Sequence, residues 1–148
     1  MDRTTRETFA RIKNPKAYMT SKWDIELFDD CFGNTKICMS DIDGVVEKNG
    51  AVLFVEFKYA GSVTDRGQQL LFEKLSEKQN CFVMQIEGKP PRNPTAYRIW
   101  SSGKVGKWTE CNVDGVKERV KRWFDWACRL REEEFQEEKP SKDYYCTF

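Results

Sequence analysis

The Asn49-Gly50 pair, set between two runs rich in β-branched and aromatic residues, constrains this chain more than any other feature. A two-residue hairpin loop needs positive φ at both positions, and asparagine and glycine supply it at least cost. Strands are therefore expected over Ile37 to Glu47 and Ala51 to Tyr59. Within the second run, Val52-Leu53-Phe54-Val55 is continuously apolar, as in a central strand covered on both faces, and the charges of Glu56 and Lys58 follow at the edge of the core.

Around the hairpin the periodicity alternates between helix and strand. A helix of about ten residues is expected from a cap at Ser21, carrying Trp23, Ile25, Leu27 and Phe28 to a stop at Gly33-Asn34, with Glu26 in its middle. After Thr64, the stripe Leu70, Leu71, Phe72 and Leu75 predicts a second helix with Glu73, Lys74, Glu77 and Lys78 facing water. Cys81 to Ile86 reads as a buried strand, and Glu87 to Pro94, with three prolines, as a loop. Strands over Thr95 to Ser101 and Val105 to Thr109, turning at Ser102-Gly103, lead to a long amphipathic helix carrying Val113, Val116, Val120, Trp123, Phe124, Ala127 and Leu130. This order predicts an α/β fold in which a mixed β-sheet is flanked by helices. With 148 residues the chain is close to one ordinary domain, expected over residues 1–138 with a solvated tail over 139–148.

Composition narrows the chemistry. The chain has no histidine, which removes serine-histidine and cysteine-histidine hydrolases and histidine-bearing zinc sites. Net charge is only +1, so any surface for nucleic acid must be local. Six cysteines are too widely spaced for a zinc or redox pair, and are expected to be reduced thiols in a cytoplasmic protein. No apolar run approaches a membrane span.

The residues that remain for chemistry cluster around the hairpin. Side chains two apart on a strand share a face, so Glu56 and Lys58 point the same way. Asp43 and Glu56 lie six residues on either side of the Asn49-Gly50 turn and should be cross-strand neighbours. Two adjacent carboxylates repel unless something positive sits between them, and a divalent cation resolves the conflict. Magnesium accepts a few carboxylates, a main-chain carbonyl, water and phosphate oxygens. With Lys58 beside it, such an ion would equip a phosphodiester hydrolase that needs no histidine. Asp41, two residues earlier, is the competing ligand, but its distance from the turn fits less well. The same alternation also suits a plain salt bridge between Glu56 and Lys58 at a sheet edge. Gly67 costs a helix about 1 kcal/mol relative to alanine, which points to close approach of another backbone. Lys89, Arg92, Arg98, Lys104, Lys107, Lys117, Arg119, Lys121 and Arg122 are candidates for a phosphate-binding face near Trp100 and Trp108, and Tyr59 for a cleft wall.

Asp43, then Glu56 thirteen residues on, then Lys58, and a Gly67-Gln68 pair opening the next helix together resemble the PD-(D/E)XK nuclease superfamily. The spacing is similar to that of archaeal Holliday-junction resolvases and small phage-encoded nucleases, and the Gly-Gln pair to the glutamine motif of the VRR-type branch. Met39-Ser40 stands where the family's proline would. The resemblance covers about residues 21–87. It implies a restriction-endonuclease-like αβββαβ core, Mg²⁺ or Mn²⁺ as cofactor, and Asp43, Glu56 and the Phe57 carbonyl as metal ligands. It further implies Lys58 as the catalytic lysine, Gln68 as a site residue, and an upstream helical acid, Glu26 or failing that Glu7, completing the metal site. The activity implied is endonucleolytic hydrolysis of DNA, double-stranded or branched, in the cytoplasm, that of a host cell if the protein is phage-encoded; a homodimer is compatible with it. Two alternatives stay open: a catalytically silent nuclease-fold module that binds nucleic acid or protein, and an RNA-cleaving enzyme of the cap-snatching kind.

Overall fold

The computed structural model describes residues 23–130, which divide between Asp41 and Ile42 into two compact units. In the first, Ile25–Phe32 forms a 3-10 helix. Asp24, rather than Ser21, caps it by accepting the Glu26 amide at 3.0 Å, and Gly33 ends it at φ 61°. Ser21 and Glu7 lie outside the described residues.

The second unit is built on a sheet. Strands β1 (Gly44–Lys48) and β2 (Ala51–Tyr59) form the expected antiparallel hairpin, with Asn49 at φ 51° and Gly50 at φ 80° in the loop. β1 is shorter than the sequence pattern implied: it starts at Gly44, so Ile37 to Asp43 lie outside it. Helix α1 (Arg66–Glu77) carries the chain over to β3 (Cys81–Lys89), which runs parallel to β2. β4 (Asn93–Ser101) returns antiparallel, and the expected last strand is split into β5 (Lys104–Val105) and β6 (Thr109–Glu110), both paired with β4. Helix α2 (Val113–Cys128) follows from an Asn112 cap. Among the described residues two strands precede α1, not the three that the nuclease resemblance implies, and no helix is long and apolar enough to cross a membrane.

The segment Glu87 to Pro94 is not the loop its prolines suggest. β3 continues to Lys89 and β4 resumes at Asn93, with a bulge between Glu87 and Gly88 that admits Pro94 opposite Gly88. A Cβ on Gly88 would stand 2.2 Å from the Asn93 carbonyl oxygen, so only glycine lets the two strands close here.

Strand alternation sorts the core into two layers. On one face Leu53, Met84 and Ile86 pack with Val116, Trp123 and Ala127 of α2. On the other, Phe54, Val83 and Trp100 pack with Leu71, Phe72 and Leu75 of α1. Leu70, expected in that stripe, is 41% exposed, and its place is filled by Phe72 and the buried Ser76, whose hydroxyl donates to the Glu73 carbonyl at 3.0 Å. The result is an α/β unit with a six-stranded mixed sheet between two helices.

The hairpin turn is fastened to the far helix. The Asn49 amide nitrogen donates to the carbonyls of Ala127 and Leu130, each at 3.1 Å, adding a second donor at Ala127, whose oxygen already accepts the Leu130 amide at 3.2 Å.

Candidate functional site

The register of the hairpin places the acids. Gly44 pairs with Val55, so Asp43 continues the line toward Glu56 just where β1 stops. With no further ladder on that side, the Phe57 amide donates instead to Asp43 Oδ2 at 2.8 Å. The N–H and C=O of one strand residue point to the same side, so the Phe57 carbonyl faces the same open edge. Asp43 is thus tied to the main chain of Phe57, while the paired register itself ends at Gly44 and Val55, one step before Asp43 and Glu56. Asp41 is not on the strand face assigned to it, because the strand begins after it.

Glu56 and Lys58 share the α1 face of β2. Glu56 is 7% exposed, and its Oε1 accepts from Gln68 Nε2 at 2.8 Å and lies 3.3 Å from Lys58 Nζ. Lys58 Nζ also donates to Gln68 Oε1 at 2.5 Å. The three side chains close a ring in which every contact is polar and two of the members carry charge. The salt bridge between Glu56 and Lys58 therefore exists, on the stretch of β2 that β3 pairs and β1 leaves uncovered. Burial of such a pair is tolerable only with further hydrogen bonds, which Gln68 supplies.

Gln68 reaches the pair because of how α1 begins. Asp65 caps the helix by accepting the Gln68 amide at 2.9 Å. A Cβ on Gly67 would come within 3.2 Å of Asp65 Oδ1. The glycine thus leaves room for a capping carboxylate, not for the second backbone its cost implied.

The polar row extends past these residues. Glu56 pairs with Gln85 on β3, and Gln85 with Arg98 on β4. Gln85, fully buried, accepts from Arg98 Nε at 2.7 Å and Trp100 Nε1 at 2.8 Å, and donates to Thr64 Oγ1 at 3.0 Å. Sequence reasoning passed over Gln85 and Thr64. The signal was present: Gln85 is a polar amide inside the apolar run Cys81 to Ile86, and such a group is buried only when it has partners.

Other expectations are redistributed. Tyr59 alternates onto the α2 face and does not line a cleft with Glu56. The basic residues do not form one face: Lys117, Arg119, Lys121 and Arg122 ride on α2, across the sheet from Arg98. Trp100 is 6% exposed and stacks edge-on to Phe72, so it is core. Glu26 sits exposed in the 3-10 helix of the N-terminal unit.

As a set of donors, two carboxylates and a strand-edge carbonyl suit magnesium, which keeps several waters. Asp43 Oδ1 and Glu56 Oε2 have no hydrogen-bond partner among the described residues, so each acid keeps one oxygen open. Among the described residues no group of three or more Asp, Glu or Cys side chains is placed to hold a metal ion. No family model, curated protein or solved structure matches the chain.

Proposed function

We propose that this chain is a Mg²⁺- or Mn²⁺-dependent nuclease that hydrolyses DNA phosphodiester bonds, with branched DNA as the favoured substrate. The observation that carries the reading is Asp43 fastened to the Phe57 amide beyond the start of β1, next along β2 to a buried Glu56 and to a Lys58 ammonium held by Gln68. Asp43, Glu56 and the Phe57 carbonyl would hold the ion. When bound, it supplies an activated water and polarises the phosphoryl oxygen, which is why no histidine base is needed. Lys58, fixed by two acceptors, keeps a positive charge where negative charge grows on the phosphate. Gln68 orients that ammonium and keeps Glu56 turned toward the same spot. Small size and a net charge of +1 favour recognition of DNA shape over a long sequence.

The test is incubation of the purified chain with supercoiled, linear, single-stranded and four-way-junction DNA and with RNA, each with and without Mn²⁺. Cleavage is expected only with the metal, and Glu56→Gln and Lys58→Ala should each abolish it. Undiminished cutting by either variant overturns the role assignment, and preference for RNA moves the site to the RNA-cleaving class.

A second reading, a silent nuclease-fold binding module, draws support from the ring itself. Glu56 is already neutralised by Lys58, and no third acid joins it among the described residues. Calorimetric titration with Mn²⁺ separates the two: absence of metal heat together with absence of cleavage favours the module.

A further inference from the structure

Among the described residues Arg98 is the cation held against tryptophan rings and a buried amide. Two strand spacings of about 4.8 Å separate it from Glu56 along the row Glu56, Gln85, Arg98, so it stands about 10 Å from the acid on the same face of the sheet. Its guanidinium is held rather than free. Nε donates to the buried Gln85 oxygen at 2.7 Å, Nη2 approaches Thr64 Oγ1 at 3.4 Å, and Cζ lies 4.6 Å from the ring centre of Trp108 and 5.7 Å from that of Trp100.

What the site lacks is a counter-charge. Lys58 is paired with Glu56, Lys74 with Glu77 and Arg122 with Glu118, yet no carboxylate lies within 4.0 Å of Arg98 among the described residues. Burial pushes Arg98 below its ordinary value, while the charge of Glu87 works in the opposite direction. Arginine stays protonated regardless, so a partly desolvated cation remains whose Nη1 has no hydrogen-bond partner among the described residues. A fixed, planar, under-compensated guanidinium is suited to a phosphate, which it can grip with two parallel N–H groups.

We propose that Arg98 anchors a phosphate of the bound nucleic-acid strand that flanks the one to be cut, with Gln85, Thr64 and Trp108 acting as positioning residues that aim its guanidinium. This rests on the nuclease reading for which phosphate is cut, but not for the anion contact itself. The exposed lysines on loops and on α2 contribute only a diffuse field, whereas Arg98 sets where the strand lies relative to Asp43 and Glu56.

The experiment measures binding of a fluorescent four-way-junction DNA across a salt series, using the full chain carrying Glu56→Gln so that nothing is cut. Adding Arg98→Gln should weaken binding roughly tenfold and lower the magnitude of the salt slope by about 1. Arg98→Lys should retain the slope, because the charge survives, while losing part of the affinity through the missing fork. In the cutting background, Arg98→Gln should raise KM by a larger factor than it lowers kcat. Thermal melting of each variant identifies loss through unfolding, and the lysine variant then decides: equal losses of slope in both variants assign Arg98 a purely structural role. An unchanged slope and KM in a folded Arg98→Gln protein overturn the proposal while leaving the nuclease reading intact. Conversely, a chain that binds DNA with the Arg98-dependent slope but cuts nothing sustains the anchor and removes the nuclease reading; a chain that does not bind DNA overturns the anchor.

Discussion

The two faces of the sheet solve the problem of burial in opposite ways. The α2 face is apolar along its length: Leu53, Met84, Ile86 and Trp123 meet without a buried polar pair, and the Trp123 indole N–H is the buried side-chain donor left without a partner among the described residues. The α1 face is apolar only at one end, at Phe54, Phe72, Val83 and Trp100, and turns polar at the other, where Glu56, Lys58, Gln68, Gln85 and Arg98 satisfy one another. Stability is therefore drawn mainly from packing on one side, while the other exchanges apolar contact for aligned hydrogen bonds and places its charges where a substrate could meet them.

That contrast is broken most directly by Trp123→Ala. It should lower unfolding free energy in urea by about 3–5 kcal/mol, enlarging a half-open cavity of ≈ 250 Å³ that Trp123 already lines with Leu53, Met84 and Trp126. Trp123→Phe removes the orphan N–H while keeping most of the volume, and should cost less than about 1.5 kcal/mol. A large loss with the phenylalanine variant would mean that the indole nitrogen has a partner after all.

On the polar side the expected losses are smaller. Gln85→Leu leaves Arg98 Nε and Trp100 Nε1 without their acceptor and should cost about 1–3 kcal/mol, with the Trp100 fluorescence shifted. Asp65→Ala removes the cap of α1 and should cost about 1 kcal/mol, and because the same helix turn carries Gln68, the proposed nuclease activity should fall further than stability alone explains. Equal falls in both would separate the cap from the site.

The smallest effect concerns thiols. Burial pushes Cys81 and Cys111 above the ordinary thiol value, against a weaker opposing pull from Lys78 at Cys81. At pH 8 the exposed Cys31, Cys38 and Cys128 should be alkylated first, as followed by mass spectrometry. A raised folded pKa makes these thiols' contribution to stability complete below about pH 9 and progressively lost above it.

Much of this was legible in the chain because it is written in local rules. Asn49-Gly50 set the hairpin, and the turn set the register, which runs as far as Gly44 and Val55, one step from Asp43 and Glu56. The helix opening at Arg66 and its Gln68 followed from periodicity and the small residues before it. What stayed hidden depended on contacts between distant segments. Pro94 could join a strand only because Gly88 stood opposite, and the pairing of Gln85 with Arg98 and Thr64 crosses 13 and 21 residues of sequence. Neither propensity nor spacing encodes such meetings. The burial of Arg98 beside Trp108 is of the same kind: the composition offers many cations, and only the sheet register selects this one.

The Asn49 side chain has a bearing on how the molecule assembles. A β-turn is ordinarily finished by its own two strands, yet this one is clasped by carbonyls 78 and 81 residues further along the chain. The corner from which the β1–β2 register is counted is thus completed only by the final helix, so a polypeptide halted before Ala127 would carry the hairpin without its clasp. The order of the proposed site then reports on closure of the opposite layer, and loosening the clasp with Asn49→Gly, which preserves the turn, should blur one by way of the other.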